Sequence, residues 1–344
     1  MASTKKVNTN RAKAKARDLD LVALSATLRA REAKMLTRER AERMLESAGY
    51  EEAAKLPEEC GYRDMSGLDV FGIEDALSER RAAVYAEIAK TEAALPVVNM
   101  FMLKYDYHNV KTLVKSMGAN EDATRILSES GRVGAKAITE AFISGERGDL
   151  PAGLRQAMSE GVGALSRTSN PQLSDLTADR LYYKELTELA ASTGSDFIRG
   201  YARIIIDGAN LRTFARSART GRTRDFLVSA LFEGGNASVS AIAELDYSGA
   251  GLEAVFKEEA LAQAVRLASE TIAGSTQTAF ERECDNAAAR YAESEKRSPF
   301  GAGVVLRYLL ALDWEMTAVR MILSGRQAGV EPEKIRERLR ESYV

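Results

Sequence analysis

The chain has 344 residues, 45% of them hydrophobic, and its 48 basic and 50 acidic side chains leave a net charge of −2. A chain of this length can bury a sizeable core in two or three domains, and its near-zero charge gives no global attraction to nucleic acid or a membrane. One histidine and two distant cysteines exclude a histidine-rich metal site and a disulfide framework. With no bilayer-length apolar run and no signal-peptide core near the N-terminus, we expect a cytosolic protein.

The N-terminal segment is strongly basic. Its first 17 residues carry six Lys or Arg side chains and no acid. This composition predicts a disordered tail over residues 1–20. The alternative is an arm that contacts anionic lipid headgroups. Binding of this arm to nucleic acid is less well supported, because no aromatic residues lie between its Lys and Arg residues.

From residue 21 onward, apolar and charged residues alternate with a period near 3.6 and are rich in Ala, Leu, Glu, Arg and Met. This pattern predicts helices. Turn-type clusters of Gly, Pro, Ser and Asn separate the helical segments, and Pro332 suits the first turn of a final helix. Only six prolines occur in the chain, and no run of alternating strands is apparent, so the sequence predicts a nearly all-α protein.

One short pattern recurs along the chain. The segments DYHNVKTLVKS from Asp106 and DGANLRTFARS from Asp207 align without a gap, and EMTAVRMILSG from Glu315 is a degenerate third copy with Ala318 at the Asn position. The shared acid, the Asn three residues later and the base five residues later are Asp106, Asn109, Lys111, Asp207, Asn210, Arg212, Glu315 and Arg320. The spacing of about one small domain predicts three helical repeats, over 21–118, 119–220 and 221–344.

The second copy contains a conflict, because the preceding IIIDG motif at Asp207 is also typical of a strand that enters a hairpin. In the first copy the acid, the Asn and Leu113 share one helical face, so the echo favours a helix for both. A buried acid needs a partner. We therefore expect each acid to pair with a Lys or Arg from another helix, as a structural clamp that fixes helix register; three catalytic acids are the alternative.

Motifs for catalysis and nucleotide binding are incomplete or missing. Gly301-x-Gly303 resembles the start of a dinucleotide loop, but Leu306 stands where the third glycine belongs, and the sequence has no Gly-Lys-Ser/Thr phosphate loop. His108 lies within the first copy and Trp314 lies directly before Glu315 of the third, which favours structural roles. We expect no cofactor, no metal and no direct nucleotide binding.

Three segments resemble the C subunit of V/A-type ATP synthases, which is called the d subunit in eukaryotic V-type ATPases. They are LRAREAKMLTRERAERMLES, FMLKYDYHNVKTLVKS and, most specifically, the run from SPFGAGVVLRYLLALDWEMTAVRMILSG to RERLRESYV at the C-terminus. The resemblance covers about Leu28 to Val344. Ala318, where the family has Asn, and a longer basic tail are departures.

The resemblance implies an all-α funnel of three similar domains around a pseudo-threefold axis. It implies a non-catalytic component of the central stalk, peripheral on the cytoplasmic face of the membrane. Its partners would be the central-shaft subunits of the D/F type and the membrane rotor ring, which it would couple for ion-driven ATP synthesis or ATP-driven ion transport. An unrelated helical adaptor is the alternative function.

Overall fold

The computed structural model describes residues 19–119, 123–275 and 277–340. Within these ranges the chain is helical and contains no strand, which confirms the predicted all-α class. The α-helices are α1 Val22–Glu32, α2 Arg38–Glu46, α3 Tyr50–Lys55, α4 Val70–Ile88, α5 Leu95–Ala119, α6 Ala135–Ser144, α7 Ala152–Thr168, α8 Pro171–Ser192, α9 Asp196–Arg219, α10 Arg224–Ala230, α11 Val239–Glu244, α12 Leu252–Val255, α13 Ala262–Ile272, α14 Gln277–Glu293, α15 Ala302–Gln327 and α16 Pro332–Arg336.

The three copies of the echoed pattern lie on long helices. These are α5, α9 and α15, with 25, 24 and 26 residues. The IIIDG segment lies inside α9, so the helix prediction is confirmed and the hairpin alternative is wrong. Ser195 caps the start of α9 by accepting a hydrogen bond from the backbone N–H of Ile198. The glycine in the motif costs helix propensity, which packing against α14 offsets.

Each long helix packs against a different group of helices. Helix α5 packs on α7 and α8, and α9 packs on α13 and α14. Helix α15, although C-terminal, packs on α1, α2, α3 and α4 from the start of the described chain. One cluster of buried apolar residues runs from Ile204 to Ala287, and the other joins residues from both ends of the chain. The two ends therefore share a hydrophobic core.

The two ends of the chain carry a predicted helix and a predicted disordered tail. The predicted final helix is α16, with Pro332 in its first turn. The predicted disordered tail, residues 1–20, lies outside the described residues except for Leu19 and Asp20. No helix among the described residues has the length and apolar character needed to cross a membrane.

Candidate functional site

The first copy of the pattern fastens the segment that links α5 to α6. Asp106 is fully buried, and its carboxylate accepts hydrogen bonds from Arg132 Nε at 2.6 Å and from the backbone N–H of Val133 at 3.2 Å. One helical turn later, the Asn109 side chain forms two hydrogen bonds with the backbone of Ser128. Its amide N–H donates to the Ser128 carbonyl, and its amide oxygen accepts from the Ser128 N–H, both at 2.8 Å. Two side chains on α5 thus fix two points of this link.

The second copy repeats this arrangement on α9. Asp207 is 1% exposed and accepts from the backbone N–H groups of Asn236 and Ala237 at 3.0 and 3.1 Å. The Asn210 side chain forms the same two hydrogen bonds with the backbone N–H and C=O of Phe232, again both at 2.8 Å. The acid and the Asn therefore perform the same task on the segment between α10 and α11.

The third copy acts on a segment from the opposite end of the chain. Glu315 is 4% exposed; it accepts from the backbone N–H of Leu36 at 2.7 Å and from the Tyr62 hydroxyl at 2.6 Å. Ala318, at the Asn position, has no amide to grip this segment. A cavity of about 330 Å³ adjoins Ala318 and Glu315 instead.

The backbone donors in the three copies are equivalent. Val133, Ala237 and Leu36 each lie immediately before the residue that caps the following helix, which is α6, α11 or α2 respectively. In each copy, therefore, the acid on the long helix contacts the residue before the N-cap of a shorter helix. The pairs of long and shorter helix are α5 and α6, α9 and α11, and α15 and α2. The segment between α1 and α2, which contains Leu36, completes the third copy of the arrangement.

Two glycines let the linking segments approach the shorter acids. A Cβ atom on Gly131 would lie 2.3 Å from Asp106 Oδ1, and one on Gly235 would lie 2.1 Å from Asp207 Oδ1. Neither glycine has a left-handed backbone, so close approach and not φ requires them here. In the third copy, Lys34 stands at this position, and Glu315 reaches its donors with one more methylene.

The basic residue five positions after each acid forms an ion pair with an acidic residue on a neighbouring helix. That helix is one of those that pack against the long helix carrying the base. Lys111 Nζ lies 2.6 Å from Asp179 on α8, and Arg212 Nε lies 2.7 Å from Glu281 on α14. Arg320 forms a two-point pair with Glu74 on α4, where its Nη2 lies 2.9 Å from Oε2. Half-buried pairs of this kind contribute modest energy, but they repeat in register in all three copies.

The expected basic partner is present for only one of the three acids. Asp106 pairs with Arg132, which lies in the link before α6 and not on a helix. For Asp207 and Glu315 the expectation is wrong, because within the described ranges their hydrogen-bond donors are backbone N–H groups and a tyrosine hydroxyl. A backbone N–H satisfies a buried carboxylate without a second buried charge.

Burial dominates the electrostatics of these acids. Desolvation raises the pKa of Asp106, Asp207 and Glu315 above the ordinary carboxyl values, while the hydrogen bonds that each carboxylate accepts act in the opposite direction. Burial also raises the pKa of the Cys60 and Cys284 thiols to about 12.

His108 is exposed, and its Nε2 lies 3.2 Å from the carbonyl of Ile126.

A second cavity, of about 310 Å³, lies between the three long helices and is called the central cavity here. Its walls include an aromatic set, Phe101, Tyr182, Tyr183, Tyr201 and Trp314, and a charged set, Lys104, Arg212, Asp285, Asp313 and Arg340. Lys104 on α5 forms an ion pair with Asp313 on α15. Asp285 is shared between Arg212 on α9 and Arg340. Charged contacts thus join elements of all three copies around one opening.

The sequence carried an unused signal for the linking segments. SESGRVGAKAI from Ser128 and FEGGNASVSAI from Phe232 align without a gap and share Glu, Gly and a buried Ile. This second echo contains the residues gripped by Asn109 and Asn210 and the glycines that face the acids. Tyr62 and Leu36, which serve the third copy, have no comparable sequence signal.

Comparison with known proteins supports the same family that the sequence motifs indicate. The family model for ATP synthase (C/AC39) subunits matches residues 24–338. The C subunit of the A-type ATP synthase of Methanocaldococcus jannaschii is 24% identical, with 92% of this chain and 85% of that protein aligned. The corresponding C subunits of Thermococcus kodakarensis and Haloferax volcanii are each 26% identical; the alignments cover 91% and 86% of this chain and 88% and 91% of those proteins. The chain belongs to the family of ATP synthase (C/AC39) subunits.

Proposed function

We propose that this chain is a non-catalytic part of the central stalk and couples the central shaft to the membrane rotor ring. The observation that carries the proposal is the central cavity, because α5, α9 and α15 each contribute to its walls. A receptor for a rotating shaft must transmit torque to every part of its own structure. A cavity bounded by equivalent helices of three repeats can distribute that load.

Torque transmission requires stiffness, which the repeated clamp supplies in this proposal. Each buried acid fixes a linking segment to a long helix, and each base at the fifth position ties that helix to another helix of its group. Fully satisfied buried polar groups rigidify a core because every alternative packing leaves one of them unpaired. Removal of a clamp would soften the protein without touching any reacting group.

The clamp contacts also suggest boundaries for the three units of a pseudo-threefold funnel. The first unit would run from the start of α5 to the end of α8, over 95–192, and the second from α9 to the end of α14, over 196–293. The third would combine 302–340 with 19–88, because Glu315 and Arg320 contact Leu36 and Glu74. These boundaries differ from the sequence-based division at 118 and 220, which follows chain order and separates the two ends.

We further propose the membrane's cytoplasmic face as the location, with shaft subunits of the D/F type and the rotor ring as partners. The basic tail would contact anionic lipid in the assembled complex. The energy conversion itself would take place in other subunits, so this chain needs no cofactor of its own. Membership in the ATP synthase (C/AC39) family argues against the alternative function, an unrelated helical adaptor.

Co-purification from solubilised membranes tests this function. Tagged chain is expected to recover both rotor-ring and shaft subunits, and the isolated chain is expected to show no ATP hydrolysis. Recovery of neither ring nor shaft would overturn the proposal.

A further inference from the structure

A cluster of exposed arginines lies where α9 turns into α10. Five arginines occur between residues 212 and 224, and the exposed acid Asp225 follows them directly. Four of them are exposed and are called the basic corner here: Arg216, Arg219, Arg222 and Arg224. The chain as a whole is nearly neutral, so any attraction to an anionic surface must come from local clusters such as this one.

The backbone of the basic corner is held firmly by a cap on each helix. Gly221 adopts a left-handed conformation with φ of 61°, and the N–H of Arg222 donates to the carbonyl of Ser217 at 3.0 Å, which closes the end of α9. Thr223 then caps α10 by accepting from the N–H of Phe226 at 3.2 Å. The arginines are therefore presented on a fixed turn.

Aromatic rings orient two of the guanidinium groups. The Arg222 guanidinium lies 5.0 Å from the centre of the Phe226 ring, and that of Arg224 lies 4.3 Å from the centre of Tyr247. A guanidinium that stacks through its face keeps N–H groups at its edge for hydrogen bonds, and that fork matches the oxygens of a phosphate. These stacks reduce the entropy that the side chains would lose on binding.

The positive charge of the corner is only partly compensated. Arg216 lies 3.5 Å from Glu281, which it shares with Arg212. Arg219 and Arg222 form no ion pair with any residue that the structure describes. Val228, on the next turn of α10, is an exposed apolar residue at 49% exposure. Unpaired arginines beside an exposed apolar side chain and half-buried aromatic rings are typical of a surface that meets lipid headgroups.

We infer that the basic corner binds the phosphate headgroups of an anionic phospholipid surface. Arg219 and Arg222 supply the unpaired charges, and Val228 contacts the boundary of the acyl chains. This contact is separate from the central cavity and requires neither shaft nor ring. It gives the protein a second attachment to the membrane besides the proposed ring.

Vesicle flotation with the full chain tests the inference. The probes are vesicles of phosphatidylcholine mixed with phosphatidylglycerol, and vesicles of phosphatidylcholine alone. Arg219→Glu/Arg222→Glu is compared with Arg155→Glu/Arg167→Glu, which makes the same charge change at two exposed arginines of α7. The basic N-terminal tail is present in both variants, so its contribution is common to them.

The corner variant is expected to lose at least about tenfold in partitioning to the anionic vesicles, because two side chains that the surface attracts are replaced by two that it repels. The α7 variant should stay within about twofold of the parent, and salt should weaken the parent's binding. Equal losses in the two variants, or equal binding to both vesicle types, would overturn the inference. Recovery of shaft and ring by the corner variant would leave the coupling function intact, which separates the two proposals.

Discussion

Replacement of Gly235 with alanine is expected to lower the free energy of unfolding by about 3 kcal/mol. The new Cβ would lie 2.1 Å from Asp207 Oδ1, so either the carboxylate or the linking segment must move. Overpacking of this kind costs about 1–3 kcal/mol, and the bonds from Asn236 and Ala237 to the carboxylate are weakened as well. Urea denaturation followed by circular dichroism measures the change.

Two comparisons make this prediction specific. Gly148→Ala is the matched control, since its Cβ would meet no atom within 4 Å, and it should change stability by less than about 0.5 kcal/mol. The double variant Gly235→Ala/Asp207→Ala should be no less stable than Asp207→Ala alone, because the clashing oxygen is gone. Additive losses in this double-mutant cycle would show that the glycine does not act through the acid.

Asp207→Ala is expected to cost about 3 kcal/mol, the second large effect. The backbone N–H groups of Asn236 and Ala237 lose their acceptor, and a buried donor left without a partner costs about 1–3 kcal/mol. Asp207→Asn should fall between parent and alanine variant, because the amide keeps the volume and one acceptor oxygen. The same urea titration compares the three proteins.

Asp149→Ala, at an exposed acid, is the reference for loss of a carboxylate without loss of a buried contact. It should be within about 0.5 kcal/mol of the parent. A near-zero effect of Asp207→Ala would contradict the clamp, since it would mean that the linking segment finds other partners at no cost.

The sequence predicted the elements that carry the clamp because helical spacing and repetition are both local properties. The spacing of Asp106, Asn109 and Leu113 along one face was sufficient to place a helix, and the echo transferred that result to Asp207 against a strand-like run of isoleucines. The structure buries all three acids. Those inferences use side-chain identity alone.

The partners of the acids could not be predicted in the same way. A backbone N–H has no sequence signature, so the donors at Ala237 and Leu36 were not distinguishable from any other residue, and a basic side chain was the natural expectation. The glycines that permit the approach were visible in the second echo. Their meaning depends on a distance of about 2 Å to an acid oxygen that only the structure provides.

Chain order concealed the linking segment that Glu315 contacts. Leu36 lies 279 residues before Glu315, and downstream of α15 the described residues contain α16 as the only further helix. Glu in place of Asp in that copy fits its different partner. A longer acid reaches a segment that carries Lys34 and not glycine.

The most direct measurement of the coupling proposal is photo-crosslinking from the central cavity in the purified complex. A photoreactive maleimide is attached to Ile205→Cys, a half-buried residue of the cavity wall, and, as control, to Ile143→Cys, which is 79% exposed on α6. The account predicts a covalent product between Ile205→Cys and a central-shaft protein, and no shaft product from Ile143→Cys. A complex that contains the shaft but gives no shaft product from the cavity position would contradict it.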